Sequence, residues 1–241
     1  MKHLERLLAG VFCISMLVVL IISAVEVAVY GDYDFFRKEY EKYDVNNPKG
    51  IVNMEMDELM RVTVEMMEYL RGDEEDLDIE AVIDGTTKEF FSEREKSHMA
   101  DVRDLFVGAL AVRWCALGMA VLSLINLFLL LYWKDIKVLL FRAYLASIGG
   151  LLAVLGIIGI WAFVDFTGLF YKFHALFFSD YEWILDTETS RLINILPEGF
   201  FVDTAIRIVV IFILFILIMG ALLLLAKKVK QTKQNLGGTY E

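Results

Sequence analysis

The chain has 241 residues, of which 58% are hydrophobic and 23% are charged, and its formal net charge at pH 7 is −10. This composition is too apolar for a soluble domain and is typical of a small protein that crosses a membrane several times. The excess of acidic side chains argues against nucleic acid as a partner.

Four apolar stretches are long enough to cross a hydrocarbon layer, which requires about 20 residues. They cover residues 7–25, 105–133, 143–164 and 208–226. Basic side chains cluster before the first span, between the second and third, and after the fourth: Lys2, Arg6, Lys134, Lys137, Arg142, Lys227, Lys228, Lys230 and Lys233. Four spans put both termini on one side, and Lys and Arg concentrate on the cytoplasmic side of membrane proteins. Both termini are therefore predicted to be cytoplasmic.

The spans divide the chain into six predicted segments. These are a first membrane anchor (1–30), an acidic extracytoplasmic cap (31–104), the second and third spans with a short cytoplasmic turn (105–165), an aromatic-rich second outer loop (166–203), the fourth span (204–226) and a basic cytoplasmic tail (227–241). The first span is expected to remain uncleaved, because cleavage after Ala28 would place Glu26 where a signal peptidase requires a small residue. Cys13 and Cys115 lie inside predicted spans, so no disulfide or thiol nucleophile is expected on the outer face.

The cap contains one clear helical pattern. Apolar side chains recur at spacings of three and four residues from Met56 to Leu70, and Gly72 follows them. The acidic stretch at 74–78 is expected to be a solvated loop. A second helix is predicted to begin near Thr86 or Thr87 and to continue into the second span. The predicted fold class is an all-α membrane protein with four transmembrane helices and a mostly helical extracytoplasmic cap.

Two of the three histidines, His98 and His174, fall just outside spans on the same predicted face. Histidine exchanges protons near neutrality, so two converging rings can act as base and acid on a lipid-borne substrate. In a helix, Arg94, His98 and Asp101 share one side, and Asp101 would hold the ring of His98 in one tautomer as the base. A solvated helix face with ion pairs has the same spacing, so both interpretations stay open.

Two further features have both a structural and a functional interpretation. Ten aromatic residues lie between 161 and 183: Trp161, Phe163, Phe166, Phe170, Tyr171, Phe173, Phe177, Phe178, Tyr181 and Trp183. They are consistent with an interfacial aromatic belt, and also with a wall of rings that receives acyl chains. Arg113 lies about eight residues into the second span; it is either a functional charge, with Glu26 as a partner, or a side chain that snorkels to the interface.

Two motifs carry a family resemblance. The run FSEREKSHMADVRDLF at 91–106, followed by FHALFFSDYEWILDTETSRLINILPEGFFVDTA at 173–205, resembles the paired signature of the bacterial lipoprotein intramolecular transacylase family. The resemblance covers the whole chain, with four spans, a long first outer loop, a shorter second loop and one histidine in each loop. It implies a four-span fold in the bacterial cell membrane.

The resemblance also implies an activity and a site. Family members move the sn-2 acyl chain of a diacylglyceryl lipoprotein to the amino group of its N-terminal cysteine, which leaves a lyso-form lipoprotein. The implied partners are diacylated lipoproteins in the outer leaflet and membrane lipid, and the oligomeric state is left open. His98 and His174 match the two catalytic histidines. The orienting or substrate-binding residues predicted around them are Arg94, Ser97, Asp101, Arg113, Tyr171 and Trp183. No metal and no other cofactor is expected.

Three other functions are alternatives to this one. A metal hydrolase would combine the two histidines with Asp101 or Glu95, but the HExxH motif is absent and the third histidine, His3, is near the predicted cytoplasmic terminus. A non-catalytic sensor or chaperone with an acidic cap fits the composition equally well. A transporter is less favoured, because the spans contain few charges and no inverted repeat.

Overall fold

The computed structural model describes residues 2–47, 49–178 and 183–237, with side chains up to residue 226 except 133 and 134. Tyr181 therefore lies outside the described part. The same is true of the side chain of Lys134 and of the side chains in the predicted basic tail beyond residue 226. The elements in chain order are α1 (Lys2–Tyr30), α2 (Asp34–Lys42), α3 (Met56–Arg71), β1 (Glu80–Ile83), β2 (Thr86–Glu89), α4 (Glu93–Leu130), α5 (Trp133–Val164), α6 (Phe166–Phe177), α7 (Arg191–Ile195) and α8 (Glu198–Gly237).

Four of these helices, α1, α4, α5 and α8, are long and apolar enough to cross a membrane. At most 28% of the residues in their most apolar windows are buried inside the protein, so most of their apolar side chains face outward. Such a surface is stable in lipid rather than in water. The prediction of four membrane-spanning helices is confirmed, and the protein is an all-α multi-pass membrane protein with a single small hairpin among the described residues.

The chain forms two compact units. The first contains the described parts of residues 1–25, 112–161 and 209–241. Its small core consists of Ala9, Leu127, Ile136 and Leu140. Polar contacts between its helices include three among the described residues. The Tyr144 hydroxyl donates to the carbonyl of Ile216, the ammonium group of Lys137 donates to the carbonyl of Ala226, and the thiol of Cys13 lies 3.7 Å from the carbonyl oxygen of Leu140.

The second unit contains residues 26–111 and 162–208, and α3 lies in its core. Leu59, Val62 and Met66 of α3 are fully or almost fully buried, as the spacing of apolar residues predicts. Around them are packed side chains from α2, β1, α4 and α7 and from the residue that follows β2: Tyr40, Ile83, Phe90, Met99, Leu192 and Ile195. Gly72 ends α3 in the left-handed conformation with φ 89°, which favours glycine.

The prediction of a helix from Thr86 or Thr87 is wrong. Thr86–Glu89 is a β-strand that pairs antiparallel with Glu80–Ile83. The two strands are joined by Asp84 and Gly85, whose φ angles of 53° and 72° are the positive values of a two-residue hairpin turn. α4 begins only at Glu93 and then continues without a break to Leu130.

Gly199, in the first turn of α8, allows a close approach by Tyr43. A Cβ at this position would lie 2.4 Å from the hydroxyl oxygen of Tyr43. The ring cannot move away freely, because its hydroxyl donates a hydrogen bond of 2.6 Å to Asp203.

Replacing Gly199 by Ala is therefore expected to lower the free energy of unfolding by about 1–3 kcal/mol, which is the usual cost of overpacking. Gly108→Ala is the matched control, because nothing lies within 4 Å of a Cβ at that helical position. The control should be neutral or stabilising, since Ala is the better helix former. Thermal unfolding of both variants in detergent measures the difference, and equal midpoints would contradict the prediction.

Candidate active site

The two histidines singled out by the sequence lie side by side. His98 is on the second turn of α4 and His174 is on α6, and the centroids of their rings are 5.9 Å apart. Each side chain belongs to the second unit, and each residue is only 8% exposed. One small polar group placed between the rings can therefore contact both of them.

Aromatic rings surround the pair. The ring of His174 lies 4.1 Å from Phe170, 5.5 Å from Phe173, 5.4 Å from Phe178 and 5.0 Å from Trp183, as distances between centroids. Phe178 also lies 5.2 Å from the ring of His98. The histidines are thus held in an apolar enclosure, which we call the aromatic box.

The hydrogen bond of His174 defines its tautomer. Its Nδ1 lies 2.8 Å from the carbonyl oxygen of Phe170, one turn earlier on α6. A carbonyl only accepts, so Nδ1 carries the proton and Nε2 of the neutral ring has the lone pair. Burial lowers the pKa of His174 below its ordinary value, although the Phe170 carbonyl partly opposes this. The ring is accordingly neutral near pH 7 and able to accept a proton at Nε2.

The other predicted site residues are distributed unevenly. Trp183 is in the aromatic box, and Tyr171 contacts it edge-to-face at 5.3 Å. Asp101 lies three residues after His98 on α4 and is half-buried, whereas Arg94 and Ser97 are exposed. Arg113 belongs to the first unit, where its guanidinium lies 5.4 Å from the ring centroid of Trp114.

Comparison with known proteins identifies the family of this chain. Residues 10–201 match the profile of the family described as "Lipoprotein intramolecular transacylase Lit". The chain belongs to this family. It is therefore a membrane-integral lipoprotein intramolecular transacylase, an enzyme that acts on lipoproteins. No curated protein sequence matches it.

Solved structures of a Lit protein share its fold. The structure of Lit from Bacillus cereus superposes with a TM-score of 0.74 at 21% sequence identity, covering 96% of this chain and 100% of that one. A Bacillus cereus Lit variant with a histidine-to-arginine mutation gives a TM-score of 0.73 at 20% identity, covering 96% of each chain. A histidine-to-alanine variant gives 0.72 at 21% identity, covering 96% and 97%.

In this Lit family member, Glu95 joins two distant parts of the site. The residue is 2% exposed. One carboxylate oxygen accepts hydrogen bonds from the backbone N–H and hydroxyl of Ser92, at 2.7 and 2.8 Å. The other accepts from the hydroxyl of Ser190 at 2.5 Å and from the backbone N–H of Leu192 at 2.8 Å. The carboxylate therefore caps α4 and also holds the start of α7.

Arg191 makes a second connection between the same two segments. Its guanidinium donates to the carbonyl oxygens of Glu89 and Phe90, at 3.1 and 2.8 Å. We call this set of hydrogen bonds the clasp. It joins Glu95 and residues 89–92 to Ser190, Arg191 and Leu192. It holds the chain that precedes His98 against the chain that follows Trp183.

The sequence contained a signal for part of the clasp. Ser92 and Glu95 form the pattern Ser-x-x-Glu of a capping box at the start of a helix. From the sequence, Glu95 is a candidate ligand only in the metal-hydrolase alternative. Within residues 2–47, 49–178 and 183–237, no group of three or more His, Cys, Asp and Glu side chains is placed to hold a metal ion. Glu95 instead uses both oxygens to accept hydrogen bonds.

Proposed function

We propose that this chain transfers the sn-2 acyl chain of a diacylglyceryl lipoprotein to the amino group of its N-terminal cysteine by paired-histidine catalysis. The observation that carries the proposal is the 5.9 Å separation of two buried imidazole rings inside one aromatic box. The family supplies the reaction class, and the pair supplies the two proton-transfer groups that an ester-to-amide transfer needs.

The hydrogen bonding of His174 supports its role as the base. The α-amino group of the substrate has a pKa of about 7.7–8.0, so much of it is protonated and non-nucleophilic at pH 7. The ammonium form first loses one proton to solvent. Nε2 of His174 then takes a second proton from the amine nitrogen as this nitrogen attacks the sn-2 ester carbonyl. This assignment reverses the expectation from sequence, which favoured His98 because Asp101 is one turn away.

His98 then acts on the oxygen atoms. It hydrogen-bonds the oxyanion of the tetrahedral intermediate and gives a proton to the glyceryl oxygen as the carbon–oxygen bond breaks. The products are an amide and a free glyceryl hydroxyl. The proton taken up by His174 returns to His98 through a group between the rings, so that both histidines regain their starting states. Donor and acceptor belong to one substrate, so no acyl-enzyme forms.

We also propose the orientation and the form of the substrate. The three basic clusters support an orientation with both termini in the cytoplasm and with the second unit, including its aromatic box, at the outer face. The substrate is accordingly a diacylated lipoprotein of the outer leaflet. The aromatic box offers apolar contacts to an acyl chain, while positioning of the amine against the ester supplies most of the acceleration.

Mass spectrometry of a lipoprotein N-terminal peptide tests the proposal. The chain is expressed in a strain that lacks the activity, and the N-free diacyl form should be converted to the N-acyl monoacyl form. The double variant His98→Ala, His174→Ala should give no conversion at equal membrane levels. His3→Ala is the matched control, because this third histidine is exposed near the start of α1, and it should keep full activity. Full conversion by the double variant would refute the mechanism.

A further inference from the structure

One side of α6 exposes large apolar side chains. Phe173 is 44% exposed, Leu176 is 77% exposed and Phe177 is 50% exposed. Their spacings of three and four residues put them on one side of the helix, which we call the α6 apolar face. His174, on the same helix, is only 8% exposed and contacts the aromatic box. The helix thus has a side that carries His174 into the aromatic box and an exposed apolar side, and Phe173 contributes to both.

The α6 apolar face continues the surface of a membrane span along the chain. α5 ends with Phe163 and Val164, which are 92% and 76% exposed. A single residue, Asp165, separates the two helices, and its carboxylate caps α6 by accepting from the backbone N–H of Gly168 at 2.8 Å. α6 therefore starts directly after the last residues of a helix that is long and apolar enough to cross a membrane.

We propose that the α6 apolar face is buried in the outer leaflet, at the boundary between headgroups and acyl chains. Lipid is the partner that this composition fits. Tyr171 and Trp183 are amphipathic aromatic residues that prefer the headgroup level, and Lys172 is exposed next to the apolar face. A helix with an apolar face and a basic flank binds in this boundary, with its apolar side about 5–10 Å deep.

This placement extends the proposed function, and its relevance to catalysis rests on that function. A helix about 10–12 Å in diameter that lies on the leaflet keeps the ring of His174 within a few ångströms of the lipid boundary. The ester linkages of a diacylglyceryl group lie at this same boundary. The substrate then reaches the histidines by lateral diffusion, and its acyl chains need not leave the membrane.

Site-directed spin labelling in vesicles tests the placement without any catalytic readout. Cys13 and Cys115 are replaced by Ala, and a single label is introduced through Phe173→Cys, Leu176→Cys or Phe177→Cys in the full chain. The protein is reconstituted in vesicles of phosphatidylethanolamine and phosphatidylglycerol. Accessibility to oxygen, which concentrates in lipid, is compared with accessibility to a water-soluble nickel chelate.

Two labelled positions calibrate the measurement. Ile157→Cys, 70% exposed on the α5 span, gives the lipid value, and Glu75→Cys, in the exposed acidic loop, gives the water value. The three α6 labels should lie close to the Ile157 value, with high oxygen and low nickel accessibility. Nickel accessibility like that of Glu75 would overturn the proposal. Dipolar broadening between labels would also overturn it, because a second copy of the chain would then cover the face.

The two proposals fail separately. If the labels report lipid but the histidine variants remain active, the placement stands and the two-histidine mechanism falls. If the labels report water but the histidine variants are inactive, the mechanism stands and the substrate must reach the site by another route.

Discussion

His174→Ala is expected to lower the rate of lyso-lipoprotein formation by about 10²–10⁴-fold, the usual contribution of a general base. Nε2 of this ring is the proposed proton acceptor, and the phenyl and indole rings around it, those of Phe170, Phe173, Phe178 and Trp183, cannot replace it. His98→Gln should retain more activity than His98→Ala. Gln still donates a hydrogen bond, and the loss of one such donor to an oxyanion costs about 10²–10³-fold. Rates are measured by mass spectrometry in vesicles, at matched enzyme levels.

The protonation behaviour of His174 provides an independent readout. Burial lowers its pKa, so the ring should stay neutral as the pH falls through the ordinary histidine value of about 6.5 and become charged only below it. The free energy of unfolding depends on pH in the same direction. The stability associated with the neutral, buried ring of His174 is fully present above the ordinary pKa of histidine and is lost as the pH falls toward the lowered pKa. With three histidines in the chain, NMR titration assigned through His3→Ala, His98→Ala and His174→Ala resolves each ring. A normal or raised pKa for His174 would contradict the assignment of the base.

Glu95→Ala is expected to destabilise the protein by about 3 kcal/mol or more. The carboxylate accepts four hydrogen bonds, and its removal leaves the buried donors of Ser190 and Leu192, and the two donors of the exposed Ser92, without this acceptor. Each unsatisfied buried donor costs about 1–3 kcal/mol. Activity should fall together with stability, because the clasp holds the segments that bear His98 and Trp183.

Two comparison variants make this prediction specific. Glu95→Gln should lose less stability than Glu95→Ala, since one oxygen still accepts while the amide group opposes the remaining donors. Glu93→Ala removes a neighbouring carboxylate whose side chain is 93% exposed, and it should change stability by no more than about 0.5 kcal/mol. Thermal unfolding in detergent gives the comparison. If Glu95→Ala unfolds with the midpoint of Glu93→Ala, the clasp has no energetic role.

The membrane-spanning helices could be predicted from sequence because the lipid bilayer requires long apolar segments. A span needs about 20 apolar residues, and this requirement is visible in any window of the chain. The helix α3 could be predicted for a similar reason, since its apolar residues recur with the period of a helix. In both cases the apolar pattern lies within one segment of the chain, and that same segment forms the helix.

The hairpin was missed because two local signals competed. Asp84-Gly85 is a strong turn signal, and the φ angles show that it is used. The strand after it, Thr86–Glu89, is fully exposed and has no apolar alternation to mark it. The helical pattern downstream was therefore extended too far upstream, beyond the capping residue Ser92.

The site could be predicted in part. The histidines were found from residue type and predicted face alone, but the base could not be assigned by spacing, because Asp101 gives the same pattern in a solvated helix. The decisive contact for His174 is with a backbone carbonyl, which sequence does not display. The partners of Glu95 lie 95 and 97 residues away, so only its capping role was visible.

The unbroken course of α4 has a consequence for the environment in which the enzyme works. His98 lies on the second turn of a helix that continues, without a break, into a membrane span. Such a helix tilts as a rod, and its tilt depends on the thickness of the surrounding bilayer. His174 belongs to a different helix, so we expect the separation of the two rings, and with it the rate of transfer, to depend on bilayer thickness. Rates measured in vesicles of lipids with shorter and longer acyl chains should therefore differ.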